Sequence, residues 1–154
     1  MASREHFQNI AELYCRKQGL MLAKSPVFGS GMYGTVFVRS LEDQRIKTAL
    51  KIHENALPFA RERDAYVRLQ SFEIRMIEGH HVPQLVNFDD ELLAIEMSVV
   101  ARPFVLDFGD AYLDRPPDYG EEIMAEWSAE KEEQFGENWP AALRVLKGLR
   151  HYGI

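Results

Sequence analysis

The densest chemical pattern in the chain is Gly29-Ser30-Gly31-Met32-Tyr33-Gly34, three glycines at the spacing of a phosphate-cradling loop. Backbone amides along such a loop attract phosphate, and glycine lets the chain approach a ligand closely or adopt positive φ. Two unrelated phosphate loops share this spacing. The dinucleotide-binding form sits between a strand and a helix, with the pyrophosphate at the helix N-terminus. Here the glycines run into Thr35-Val36-Phe37-Val38, β-branched and aromatic with no helical period, so that form is excluded. A loop between two antiparallel strands remains. So does a glycine-rich hairpin without a ligand.

Other candidates are less specific alone. Lys51 lies in Ala49-Leu50-Lys51-Ile52. A lysine with apolar strand neighbours can lay its stem on them and keep its ammonium in water. Glu62 lies in Arg61-Glu62-Arg63, where a surface ion pair is worth under about 1 kcal/mol. His6, His53, His80, His81 and His151 lack metal-site spacing with Cys15, and His80-His81 reads as an exposed turn. No metal site is expected.

The elements that must position these residues follow from periodicity. Residues 4–17 read as an amphipathic helix with Phe7, Ile10, Ala11 and Tyr14 on one face, Ser3 as N-cap and Gly19 as stop. Residues 20–28 are strand-like, with Pro26 at an edge or bulge. Residues 35–38 and 46–53 add two strands around a turn at 42–45, giving an antiparallel meander. A helix spans 58–70, with Pro58 in its first turn and Phe59, Glu62, Tyr66 and Leu69 on one stripe. Strands at 82–88 and 92–99 flank an Asp89-Asp90 turn. An acidic helix follows at 121–135. Asn138 then caps a last helix, with Pro140 in its first turn and Leu143, Leu146 and Leu149 along one side. This order predicts an α+β fold with one antiparallel sheet. It divides into an N-terminal helix (1–19), a sheet-bearing lobe (20–99) and a helical segment (100–154).

With 154 residues, 46% hydrophobic and 27% charged, the chain has the composition of a soluble globular protein rather than a disordered or disulfide-stapled one. No apolar run reaches the ~18–20 residues of a membrane span, and no secretory leader is evident. The lone Cys15 cannot form an internal disulfide, so a cytoplasmic location is expected. The net charge of −6 argues against nucleic acid as a partner. The segment from Asp107 to Glu137 holds eleven acidic residues against Arg115 and Lys131. That block is either a solvated face or a surface for a basic partner.

Taken together, the motifs resemble the small lobe of the eukaryotic-like protein kinase fold. Gly29 to Val36 is similar to its glycine loop, aromatic before the third glycine included. Ala49-Leu50-Lys51-Ile52 is similar to its third-strand lysine motif, seventeen residues after Gly34. Glu62, followed by Tyr66 and Leu69, resembles the helix glutamate. Val82-Pro83-Gln84-Leu85 and Leu92-Leu93-Ala94-Ile95-Glu96-Met97 resemble the fourth and fifth strands running into the hinge. The resemblance covers Val27 to Met97. It implies a five-stranded antiparallel sheet with one helix packed on it, followed by C-terminal helices.

The resemblance also implies roles. Gly29, Ser30, Gly31 and Gly34 would cover the phosphates of ATP, and Lys51 would meet the α- and β-phosphates, held by Glu62. Val36 and Ala49 would press on the adenine, with Ile95 at the back of the pocket. The backbone of Glu96 and Met97 would hydrogen-bond the adenine edge. Only eleven residues separate Lys51 from Glu62, which implies a shortened approach to the helix.

The family's catalytic loop, a His-x-Asp with a downstream Asn, occurs nowhere in the chain. Asp107-Phe108-Gly109 spells the metal-binding motif but follows Met97 by ten residues, too early for it. It is better placed just after the hinge, where Asp107 or Asp110 would reach a ribose hydroxyl. Residues 143–154 resemble the large-lobe helix that precedes the catalytic loop. The expectation is therefore an ATP-binding, kinase-like module of a transferase. It would have little transfer activity alone, and the usual magnesium ligands are absent. The alternative is a pseudokinase-like interaction protein that meets a partner, or a second copy, through its C-terminal helices. Leu143, Val145, Leu146 and Leu149 would then be partly exposed. An unrelated α+β domain with a glycine hairpin is a third reading.

Overall fold

Alternation along the strands sends this chain's apolar side chains to both faces of one sheet, and each face carries a helix. The computed structural model describes residues 3–23, 27–31, 33–40, 47–100, 108–116 and 118–154. The expected turn at 42–45, the strand end at Pro26, Met32 of the glycine motif and Asp107 lie outside these residues. The fold is α+β. A five-stranded antiparallel sheet runs in the order β1 (Val27–Gly31), β2 (Gly34–Ser40), β3 (Lys47–His53), β7 (Ala94–Ser98), β6 (Leu85–Asp89).

Helix α1 (Arg4–Lys17) starts where the Ser3 hydroxyl accepts the His6 amide at 3.2 Å, and Gly19 at φ +68° ends it. Its buried face, Phe7, Ala11, Tyr14 and Cys15, packs on Phe37, Leu50, Ile52 and Ala94 from one side of the sheet. Helix α2 (Ala56–Ser71) covers the other side. It begins two residues before the expected position, and its predicted stripe of Phe59, Glu62, Tyr66 and Leu69 is buried.

The glycine segment is tighter than expected. Gly31 pairs directly with Gly34, and Gly29 and Ser30 already lie in the ladder opposite Val36 and Thr35. The described strand covers Val27–Gly31, with a bulge between Val27 and Gly29, and residues 20–23 are not part of a strand. None of the three glycines adopts a positive φ. Gly34 is required for another reason: a Cβ there would lie 2.0 Å from the Ile52 carbonyl oxygen. Gly29 and Gly31 face open space.

The expected turn at His80-His81 is instead β5 (His80–His81), paired with β4 (Met76–Ile77). Glu78 at φ +49° and Gly79 at φ +78° form the two-residue connection that such a hairpin demands. Between β6 and β7, the Asp89 carboxylate accepts the amides of Glu91 and Leu92, each at 3.0 Å. Helix α3 (Glu121–Phe135) buries none of its residues.

Helix α4 (Trp139–His151) buries Trp139, Ala142, Val145 and Leu149 rather than the expected Leu143, Leu146 and Leu149 stripe. The helix is rotated so that Val145 and Leu149 enter the core beneath α2, with Leu146 partly buried against it and Leu143 exposed. Gly148 allows the approach, since a Cβ there would lie 2.5 Å from the Ile77 side chain. Val145 and Leu149 are thus not available to an outside partner. Among the described residues, no helix is long and apolar enough to cross a membrane.

Candidate functional site

Strand register assembles the site. Val36, Lys51 and Ile95 are direct cross-strand neighbours, as are Ala49 and Met97. Directly opposed residues share a face, so Val36, Ala49, Lys51, Ile95 and Met97 all lie on the α2 side, with Gly29 opposite Val36 at the sheet edge. Ile95 and Met97 are buried, while Val36 and Ala49 are only half-covered. The result is a small apolar shelf beside the glycine hairpin.

Lys51 stands at the inner end of this shelf. Its Nζ donates to Glu62 Oε2 at 2.7 Å, and the side chains are 10% and 3% exposed. Taking two charges out of water is costly unless each is closely paired. Eleven residues suffice for the contact because α2 starts three residues after β3 ends. The pair is therefore built by a strand and a helix, both rigid.

A third side chain joins them. His53 Nε2 lies 2.7 Å from the same Glu62 oxygen, and the ring is fully buried. Sequence reasoning passed over His53 because it matched no catalytic or metal pattern. The available signal was its position two residues after Lys51, which on a strand means the same face.

Glu96 stands elsewhere. Its side chain points to the α1 face, where Arg39 Nε at 2.7 Å and the Thr48 hydroxyl at 2.6 Å donate to one oxygen. The Tyr14 hydroxyl donates to the other at 3.0 Å. Burial, then the Glu96 charge, pushes the Tyr14 hydroxyl up. Burial likewise pushes up the thiol of Cys15, which makes it a poor nucleophile. The backbone of Glu96 and Met97 belongs to a strand paired on both sides, with β3 and β6. The chain leaves the ladder only after Ser98, so the first backbone groups outside the sheet are at Val99.

The glycine hairpin is tied down at its tip. The Tyr33 hydroxyl donates to Asp110, and the Tyr33 carbonyl accepts the Glu54 amide at 3.2 Å. Asp110 also lies 3.8 Å from Arg61, whose guanidinium sits 4.3 Å from the centre of the Tyr112 ring. Asp110 thus borders the glycine hairpin rather than standing apart from it. Phe108 is buried edge-on to Tyr66 of α2, ring centres 5.3 Å apart.

An open cleft of about 1070 Å³ lies between the C-terminal half of α2, residues 110–116 and the end of α4, and shares Asp110 with the hairpin contact. Its Arg68 is committed to a two-point pair with Asp114, whose carboxyl the guanidinium holds below the usual range. Among the described residues, no group of three or more His, Cys, Asp or Glu side chains is placed to hold a metal. No model of a known protein family matches the chain, and no curated protein matches it.

Proposed function

We propose that this chain is a kinase-like nucleotide-binding module of an ATP-dependent phosphotransferase. The observation that carries the reading is the buried Lys51–Glu62 pair at 2.7 Å, on the sheet face that also holds Val36, Ala49 and the glycine hairpin. A buried ion pair contributes little to stability compared with an apolar replacement. A cation held at the end of an apolar shelf suits a ligand with a flat ring and a polyphosphate. Lys51 would take the phosphate charge, Val36 and Ala49 the ring. Gly29 and Gly31, with open space where a Cβ would stand, leave room for phosphate against the hairpin backbone. The adenine edge would meet backbone at Val99 rather than at Glu96 and Met97. With no His-x-Asp loop in these 154 residues, phosphate transfer by this chain alone would be very slow.

The test is calorimetric titration of ATP, with and without magnesium, into wild type and Lys51→Met, with thermal unfolding of both. Wild-type binding lost in a folded Lys51→Met protein is the expected result. Equal affinity in the two proteins would overturn the reading.

One observation favours a second reading, an interaction protein. Helix α3 buries nothing, and its Ile123 and Trp127, one turn apart, are 53% and 36% exposed among glutamates. Sedimentation at several concentrations tests self-association through it. A strictly monomeric chain removes the homodimer form.

A further inference from the structure

Glu62 is shared. Lys51 Nζ and His53 Nε2 both lie 2.7 Å from its Oε2. The other ring nitrogen of His53, Nδ1, lies 3.3 Å from the Leu93 carbonyl oxygen, which also accepts the His53 backbone amide at 2.9 Å. Leu93 itself sits at φ +49°, a left-handed conformation that a bulky side chain rarely adopts. Carboxylate and carbonyl oxygens are acceptors only, and a neutral imidazole carries one N–H. Both contacts are hydrogen bonds only when the ring is an imidazolium.

We propose that His53 is a positioning residue for the nucleotide site: it holds the Glu62 carboxylate beside Lys51, and its charge sets how much of the Lys51 charge is left for phosphate. This deepens the nucleotide reading and rests on it. With His53 protonated, one carboxylate faces two cations, and the cluster carries one more positive charge than with the ring neutral. With His53 neutral, Glu62 neutralises Lys51 alone. Affinity for a polyphosphate is therefore higher beside the imidazolium than beside the neutral ring. Among the described residues, Lys51 shares the face of the strand with the ring, and the Phe59 ring of α2 stands edge-on to it with centres 5.6 Å apart. Arg63 lies 5.5 Å from the centre of that Phe59 ring and is itself paired with Asp64 and Asp90.

The test compares wild type with His53→Gln, whose amide can still donate to Glu62 but is neutral at every pH. ATP affinity is measured without magnesium at pH 6 and pH 8, with thermal unfolding of each protein. ATP's own protonation acts equally on both. Wild type should lose at least roughly fivefold more affinity than His53→Gln between the two pH values, the low end of coupling between linked sites. Parallel profiles in two folded proteins would overturn the proposal. Nitrogen-15 NMR of the histidine ring in the ligand-free protein gives an independent arm. A proton on Nε2 throughout supports the contact with Glu62, and a neutral ring with Nε2 bare overturns it. If folded wild type binds no ATP at either pH, the nucleotide reading falls, and the NMR arm alone decides whether His53 positions Glu62.

Discussion

The Tyr14 hydroxyl donates to the Glu96 carboxylate at 3.0 Å across 82 positions of sequence, and both side chains are almost fully buried. This bond fastens α1 to the central strand β7. Tyr14→Phe removes one hydrogen bond to a charged group and should cost about 1.5–3 kcal/mol. Glu96→Ala also leaves Arg39 buried without its carboxylate, and should cost about 3–5 kcal/mol. Urea denaturation of the two variants checks the ranking.

Gly34 and its two sequence companions should separate cleanly. Gly34→Ala drives a methyl group onto the Ile52 carbonyl and should cost about 3 kcal/mol, the upper end of overpacking. Gly29→Ala and Gly31→Ala meet open space and should leave the unfolding midpoint nearly unchanged. A loss of ATP affinity in these two stable variants would then come from the ligand's approach to the hairpin. The denaturation curves and the titrations together decide it.

Acid should loosen the joint between α1 and the turn before β7. The hydrogen bond from Lys17 Nζ, 2.6 Å away, holds the Asp89 carboxyl below the usual aspartate range, against some desolvation. A depressed carboxyl stabilises the fold above its unfolded value, about 3.9. That contribution is lost as pH falls through the lower, folded value. Asp89→Asn keeps an oxygen for the Glu91 and Leu92 amides but removes the charge. Wild type should therefore lose more stability than Asp89→Asn as pH falls from 5 to 2, followed by denaturant midpoints.

Leucines on α4 should differ by position. Leu149→Ala opens a cavity beneath α2 and should cost about 2–5 kcal/mol. Leu143, 38% exposed, should tolerate alanine with a loss of under about 1 kcal/mol. Equal losses at the two positions would mean that α4 packs on a different face.

Much of this arrangement was legible in the sequence because its signals are local. Phe59, Glu62, Tyr66 and Leu69 repeat at helical spacing, and the helix buries all four. Lys51 and Glu62 were recognised through motif resemblance, and strand and helix bring them together. What escaped depends on register or on distant partners. The resemblance gave the Glu96 and Met97 backbone a place at the adenine edge, but both lie inside β7, which runs to Ser98 and is paired on both sides. The α4 face was misassigned because leucines drew attention from Ala142 and Val145. Small residues bury well, but their hydrophobic signal is weak. The β4–β5 hairpin was missed because two-residue strands carry no period at all.

The bond between Tyr14 and Glu96 also bears on the order of events at the ribosome. Helix α1 leaves the exit tunnel early, but its docking surface is completed by β7. At about 5–20 residues per second, the 82 intervening positions take roughly 4–16 seconds to synthesise. Through that interval Phe7, Ala11 and Tyr14 have no finished sheet to cover them. The nascent helix is then a target for a holding chaperone, and slow codons between β3 and β7 would lengthen its wait.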